Sequence, residues 1–317
     1  MRVARYRIVV TDQVFPSVET ERRLLAEIDA ELEVASGDRD EVLAKAEDAD
    51  ALLNTYFPVD ADAMSRLHKC RIIARYGIGV DNIDLDAARG RDIVVTNVPD
   101  YCVEEVAAHA VAMTLSLLRR IPEGQAVLDR GGWGIADLRP IKRLSETVVG
   151  VVGLGRIGRD VAKLLGGFGA RVVGHDPFVT ELPGVEKVDE IDELLGMSDA
   201  VTLHCPLLPE TRGLMNAERL ARMPSHAVLV NTSRGPLVVL DDLLDALRQG
   251  VIRGAALDVF DLEPVDATRL KDVPGLLATP HMAFYSEAAL NESQNKATQQ
   301  IIKVLHGQPA DYQVNAG

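Results

Sequence analysis

Residues Val148–Gly158 read "VVGVVGLGRIG", and their interpretation decides the fold. A β-branched run of strand character passes straight into Gly153-x-Gly155-x-x-Gly158, and the helix-compatible "RDVAKLLGGFG" follows. The glycine spacing alone is a weak signal; at a strand-to-helix turn it acquires physical content. The first glycine permits the tight turn, the second lets backbone approach a pyrophosphate, and the third lets helix pack on strand. The pyrophosphate would then sit at the positive end of the helix. The next strand, Arg171–Gly174, ends in His175-Asp176-Pro177, which sets Asp176 18 residues beyond Gly158. A carboxylate near that spacing accepts from a ribose 2′-hydroxyl and repels a 2′-phosphate, so the pattern predicts NAD over NADP.

Outward from this turn, short apolar runs alternate with helical stretches, the signature of parallel α/β sheets. A first series of strands is expected at Arg7–Thr11, Leu32–Ala35, Ala51–Asn54, Arg71–Ala74 and Ile93–Thr96, with helical stretches such as Glu19–Ala30 and Arg39–Ala46 between them. A second runs through Val148–Val152, Arg171–Gly174, Ala200–His204, Val228–Asn231, Ala255–Val259 and Leu276–Ala278. Joining the two is a long helix, Val103–Arg120, with acids at its start and arginines at its end, as its dipole favours. It begins after Asn97-Val98-Pro99, where proline enforces an extended approach. A polar stretch, Gln125 to Ser145, holds the single tryptophan, Trp133, and reads as an excursion over another surface. The last helix, Glu287–Leu305, follows the second series and is expected to return to the first domain. The expected architecture is an α/β fold of two Rossmann-like or flavodoxin-like domains with parallel sheets and an interdomain cleft.

The chain has 317 residues, enough for two ordinary domains, and is 47% hydrophobic and 26% charged. No apolar segment approaches transmembrane length, and the amino terminus lacks a signal peptide's long apolar stretch and cleavage site. Cys70, Cys102 and Cys205 stand too far apart for a disulfide framework or a cysteine metal site, so no metal is expected and the cytoplasm is the natural compartment. A net charge of −14 argues against nucleic-acid or anionic-membrane partners but not against small anionic substrates, which local arginines can hold.

Hydride exchange with a nicotinamide needs a group that moves a proton, and histidine titrates nearest neutrality. Of seven histidines, His68, His109 and His306 lie in helical patterns, His226 precedes a strand, and His175 adjoins the ribose acid. His204, in "VTLHCP", and His281, in "LATPHMA", each end a strand on the cofactor-facing edge; His281 is the better proton carrier, being fixed by Pro280 after the last strand. "ALDVFDLEP" supplies Asp258 in a strand and Glu263 on the following loop, where a carboxylate on the histidine's other nitrogen would fix its tautomer. "AVLVNTSRG" carries Arg234 to the end of another strand, where its guanidinium can fork an α-keto carboxylate and polarise the carbonyl. For a lone arginine or glutamate a solvated loop is the commoner reading, but all three follow strands at one sheet edge.

Taken together, "NTSRG", "ALDVFDLEP", "TPHMA" and "VVGLGRIG", with "RYGIGVDNID" at 75–84 and "NVPDYCVEEVAAH" at 97–109, resemble the D-isomer-specific 2-hydroxyacid dehydrogenases. The resemblance covers most of Arg71 to Glu287; the first 70 residues carry little of it. It implies a reversible, NAD-dependent reduction of a 2-keto acid to the D-2-hydroxy acid, with Arg234, Glu263 and His281 catalytic. The cofactor set it implies is Gly153, Gly155, Arg156, Ile157, Gly158, Asp176, His204, Cys205, Pro206, Thr232 and Asp258, the last near the nicotinamide carboxamide. Backbone N–H groups of Ile78 and Gly79 fall to the substrate carboxylate, and Arg75, Tyr101 and Phe284 to substrate binding. It also implies a discontinuous substrate domain, 1–98 plus 286–317, an NAD-binding domain, 99–285, and a homodimer built by an arm of about 121–146 around Trp133.

Within that family the flavour is divided. "HCPL", "VEE" and "FYSE" look like the C-terminal-binding protein branch, in which Trp stands where this chain has Phe284, whereas Arg75 and "GGW" at 131–133 look like 3-phosphoglycerate dehydrogenase. Tyr101 is shared with lactate-type members, though a turn residue packing on the adjoining helix is an equal reading; Arg75 either meets a second anionic group or pairs with a nearby acid. Three functions follow: the dehydrogenase, including a phosphoglycerate type; an NAD(H)-sensing, corepressor-like interaction protein; and a dehydrogenase in which the same trio acts on formate or phosphite.

Overall fold

The computed structural model describes residues 4–316. It contains two compact units, Met1–Tyr101 with Ser286–Gly317, and Cys102–Tyr285; residues 1–3 and 317 of the expected substrate domain lie outside the described residues.

The first unit is built on strands β1 (Tyr6–Val10), β2 (Ala30–Val34), β3 (Ala51–Asn54), β4 (Ile72–Arg75) and β5 (Val94–Thr96). They are parallel in the order β2-β1-β3-β4-β5, the flavodoxin-like arrangement. Helices cover both faces, so central strands such as β3 and β4 are buried along their whole length and read as continuous runs rather than alternations. The helix starting at Glu19 stops at Leu25 and tightens into a 3-10 turn, Ala26–Ile28, because Asp29 adopts a left-handed φ of 57° that sends the chain into β2. That ends it short of the expected Ala30. His68, expected in a helical pattern, lies in the loop after the short helix Ala61–Ser65.

The C-terminal helix, Glu287–Leu305, packs on helix Glu19–Leu25 and on β4. A buried polar cluster ties these elements together. Glu21, with no exposed surface, accepts from the Tyr76 hydroxyl at 2.7 Å and from Gln294 Nε2 at 2.9 and 3.0 Å. Ser293 donates its hydroxyl to the Tyr76 carbonyl. Burial and the neighbouring Glu21 charge hold the Tyr76 phenol well above its ordinary value, so it remains the donor.

The second unit carries β6 (Val148–Val152), β7 (Arg171–His175), β8 (Glu186–Lys187), β9 (Ala200–Leu203), β10 (Val228–Asn231), β11 (Gly254–Leu257) and β12 (Leu276–Ala278). All are parallel, in the order β12-β11-β10-β9-β6-β7-β8. The direction of winding reverses between β6 and β9, and in such sheets ligands bind outside the carboxyl ends of the strands at that reversal. β8 is two exposed residues with no apolar pattern, which is why the sequence offers no sign of it. β11 stops at Leu257, so Asp258 stands just beyond the strand rather than within it.

Helix Val103–Leu118 packs across β9, β10 and β11. Arg120 then turns left-handed at φ 55°, and a new helix, Ile121–Asp129, starts with proline in its first turn. The stretch expected as an excursion over another surface, from Gln125, therefore starts within a helix. Beyond it, Trp133 and Ile135 are 92% and 62% exposed. Among the described residues no helix is long and apolar enough to cross a membrane, and no His, Cys, Asp and Glu group could hold a metal.

Replacing Tyr76 with Phe leaves Glu21 buried with one donor fewer, and urea unfolding should show a loss of about 1–3 kcal/mol. A loss below about 0.5 kcal/mol would mean that this cluster does not hold the unit together.

Candidate functional site

The topology of the second unit brings six loops to one edge. From β6 comes the glycine turn, from β7 Asp176, from β9 His204, from β10 Arg234, from β11 Asp258 and Glu263, and from β12 His281. β10, β11 and β12 are adjacent, with Asn231 level with Leu257 and Leu257 with Ala278. Their carboxyl ends therefore set the three loops side by side.

The glycine turn fits a dinucleotide on grounds independent of its spacing. Gly153 has φ 90°, and a Cβ there would lie 2.6 Å from the Cys205 nitrogen. A Cβ on Gly158 would lie 2.0 Å from the Gly153 carbonyl oxygen, so helix and turn meet backbone to backbone. Gly155 differs: its φ is −71° and a Cβ would meet no atom within 4 Å. Neither the backbone nor the protein's own packing demands glycine there, whereas a pyrophosphate lying against the chain does. The helix it opens, Arg156–Gly167, has no side-chain cap and no acid in its first turn, leaving its N–H groups and positive end for an anion.

On the β7 side, Asp176 is held rigidly. One carboxylate oxygen accepts from Leu154 N at 2.8 Å, and the other from Phe178 N at 2.8 Å and Val179 N at 3.2 Å. On the β9 side, His204 shares a 2.8 Å hydrogen bond through Nε2 with Thr202. Its buried Nδ1, and the buried Thr232 hydroxyl after β10, have no protein hydrogen-bond partner among the described residues, so both are polar atoms suited to a ligand. Burial pushes the Cys205 thiol up to about 11, which makes it an unreactive wall residue.

Beyond β10 the chain forms a close stack. A Cβ on Gly235 would lie 1.9 Å from the Phe260 carbonyl carbon, so only glycine lets the Arg234 loop press on the loop leading to Glu263. Asn231 donates to the Arg234 carbonyl at 2.8 Å, and Arg234 Nη1 donates to the Ser233 carbonyl at 2.8 Å. Glu263 accepts from Phe260 N at 2.8 Å through one oxygen; its other oxygen lies 2.6 Å from His281 Nδ1. Burial works against the Glu263 charge, but the His281 hydrogen bond, helped by Phe260 N–H and the Arg234 charge, outweighs it and holds the carboxyl below its usual range. Phe284 packs its ring edge-on against the imidazole, centroids 6.0 Å apart.

Asp258, expected near a nicotinamide carboxamide, has a buried side chain that also holds the chain's own turn. It accepts from the Thr279 hydroxyl at 2.5 Å and from the N–H groups of Met282 and Ala283, each at 2.9 Å. Sequence reasoning missed Thr279, and it set aside His109, whose Nε2 lies 3.1 Å from the Thr279 hydroxyl. The available sign was a polar residue bordering the buried stripe of Val106, Ala107, Ala110 and Val111.

In the first unit, Arg75 ends β4, buried, with its guanidinium folded over Gly77, where a Cβ would lie 2.0 Å from Nη1. In the loop that follows, the Gly77 carbonyl accepts from Val98 N at 3.1 Å and the Ile78 carbonyl from Asn97 Nδ2 at 2.7 Å. With these carbonyls taken, the loop presents the N–H groups of Ile78 and Gly79, for which no acceptor stands among the described residues. Tyr101 sits half-buried in the turn before helix Val103–Leu118.

Burial lowers the His204 pKa from 6.5 to about 3. Since the unfolded chain binds this proton more readily, the contribution of His204 to stability is complete above pH 6.5 and declines as pH falls from there toward 3. An NMR titration should find the His204 ring neutral at pH 5; protonation near pH 6 would contradict the packing described.

Residues 111–283 match the family described as D-isomer specific 2-hydroxyacid dehydrogenase, NAD binding domain. The chain is 39% identical over 315 residues to the D-3-phosphoglycerate dehydrogenase of Methanocaldococcus jannaschii, covering 98% of this chain but 59% of that protein's length. It is 36% identical to the glyoxylate reductase of Korarchaeum cryptofilum, with 93% of each chain covered. The fold matches D-lactate dehydrogenase from Aquifex aeolicus, solved with NAD and lactic acid, at a TM-score of 0.90 and 25% identity, over 98% of this chain and 99% of that one. A glycine turn shaped for NAD, on the same sheet edge as a carboxylate-bound histidine, is thus carried by a sequence that belongs to the D-isomer specific 2-hydroxyacid dehydrogenase family.

Proposed function

We propose that the chain catalyses reversible hydride transfer between NAD(H) and C2 of a small 2-keto or D-2-hydroxy acid. The observation that carries this reading is the 2.6 Å contact between Glu263 and His281 Nδ1, which assigns proton exchange with substrate to Nε2. NAD, held by the glycine turn and Asp176, supplies the hydride acceptor or donor. Arg234 forks the substrate carboxylate and polarises the keto oxygen, and His281 donates the proton that this oxygen gains. Glu263, ionised, keeps the imidazole in one tautomer. The N–H groups of Ile78 and Gly79 are assigned to the substrate carboxylate, and Arg75, Tyr101 and Phe284 to the choice of side chain.

The exposed apolar side chains of segment 121–146 support a second element of the reading, self-association. Ile121, Leu128, Trp133 and Ile135 are each more than half exposed, a patch that water alone covers poorly. The three cysteines are unbridged, as suits the cytoplasm.

NADH oxidation should be followed over glyoxylate, pyruvate, hydroxypyruvate, 3-phosphohydroxypyruvate and branched keto acids. Turnover of one or more is expected, and His281→Ala should cut its kcat by about 100- to 10,000-fold while NADH binding is nearly unchanged. An unaltered kcat would refute the assignment. Trp133→Glu should lower the molecular mass measured by light scattering to that of a single chain if the arm joins two copies; a wild-type chain that is already monomeric would end that part of the reading.

A further inference from the structure

His281 occupies a backbone conformation that a side chain other than glycine rarely adopts, with φ 50°. Contacts with the end of β11 hold it there. The His281 N–H donates to the Asp258 carbonyl at 2.8 Å, and the next two N–H groups, of Met282 and Ala283, go to the two carboxylate oxygens of Asp258. A single side chain thus caps the turn. Asp258 is itself almost wholly buried, and its orientation is set from behind by the Thr279 hydroxyl and then by His109 on the neighbouring helix.

Proton counting gives this chain of contacts a direction. A carboxylate already receiving two N–H groups has only acceptor capacity, so the one hydroxyl proton of Thr279 goes to Asp258. The Thr279 oxygen is then left as an acceptor toward His109, whose Nε2 must carry a proton. His109 Nε2 also lies 3.8 Å from the nearer carboxylate oxygen of Asp258.

We propose that His109 and Thr279 are positioning residues for the reaction: acting through Asp258, they lock the left-handed turn that aims His281 while Glu263 fixes its tautomer. Neither touches substrate. This rests on the dehydrogenase reading, so its test combines turnover with a measurement on the cofactor-free protein. Thr279→Val keeps the shape and removes the hydroxyl; Thr279→Ser keeps the hydroxyl. A misaimed proton donor should reduce kcat about 10- to 100-fold in the valine variant with little change in NADH binding, and serine should restore most of it. In ¹⁵N-histidine NMR of the cofactor-free chain, His109 Nε2 should be protonated, and the His281 ring signals should shift in Thr279→Val but not in Thr279→Ser. Unchanged kcat and unshifted His281 signals in the valine variant would overturn the proposal, as would an unprotonated His109 Nε2 in the wild type. Should Thr279→Val fail to fold, His109→Leu breaks the same chain one step earlier and is read by the same signals. If the wild-type chain reduces no keto acid, the dehydrogenase reading fails on its own, and the histidine signals alone decide whether the relay exists.

Discussion

The hydrogen bond between Glu263 and His281 can form only because three parallel strands end side by side. β10, β11 and β12 are short and in register, with β10 and β11 buried, so loops leaving their carboxyl ends start side by side. Gly235 allows the first loop to lie directly on the second, and Asp258 ties the third loop back to the end of β11. The sheet thereby converts three residues distant in sequence into neighbours, and pre-organises them before substrate arrives. In the dehydrogenase reading, charge preorganised in this way costs nothing to reorganise during reaction.

The same sheet separates two tasks. The β6–β7 side offers a glycine turn, an uncapped helix end and a rigid carboxylate, all suited to the phosphate and ribose parts of NAD. The β10–β12 side offers a guanidinium and an acid-supported imidazole. Between them stand His204 and Thr232, with buried polar atoms that suit a ligand lying across the sheet edge. Burial keeps His204 neutral, so it adds no positive charge at this sheet edge.

Much of this was legible in the sequence because it depends on local rules. Strand runs, the Gly153–Gly158 turn and the acid after β7 follow from backbone sterics and anion binding, and need no knowledge of distant contacts. That Arg234, Glu263 and His281 come to one sheet edge was legible because each lies on the loop leaving an apolar strand run. Hidden from the sequence were features set by tertiary contact. The role of Asp258 depends on where residues 279–283 fold back, and His109 gains its meaning only from Thr279, 170 residues away. The helix Ile121–Asp129 was missed because polar side chains on an exposed helix look like those of a loop. The end of the helix at Leu25 turns on the left-handed Asp29, which apolar periodicity does not register.

The central claim is that this sheet edge delivers hydride to C2 of a keto acid while His281 protonates the oxygen. The most direct measurement is the fate of deuterium when a keto acid that the chain turns over is reduced with NADH labelled at C4 of its nicotinamide. Deuterium bound to C2 of a D-2-hydroxy acid, analysed by NMR of the isolated product, is the predicted result. A product with deuterium absent from C2, or of the opposite configuration, would contradict the account.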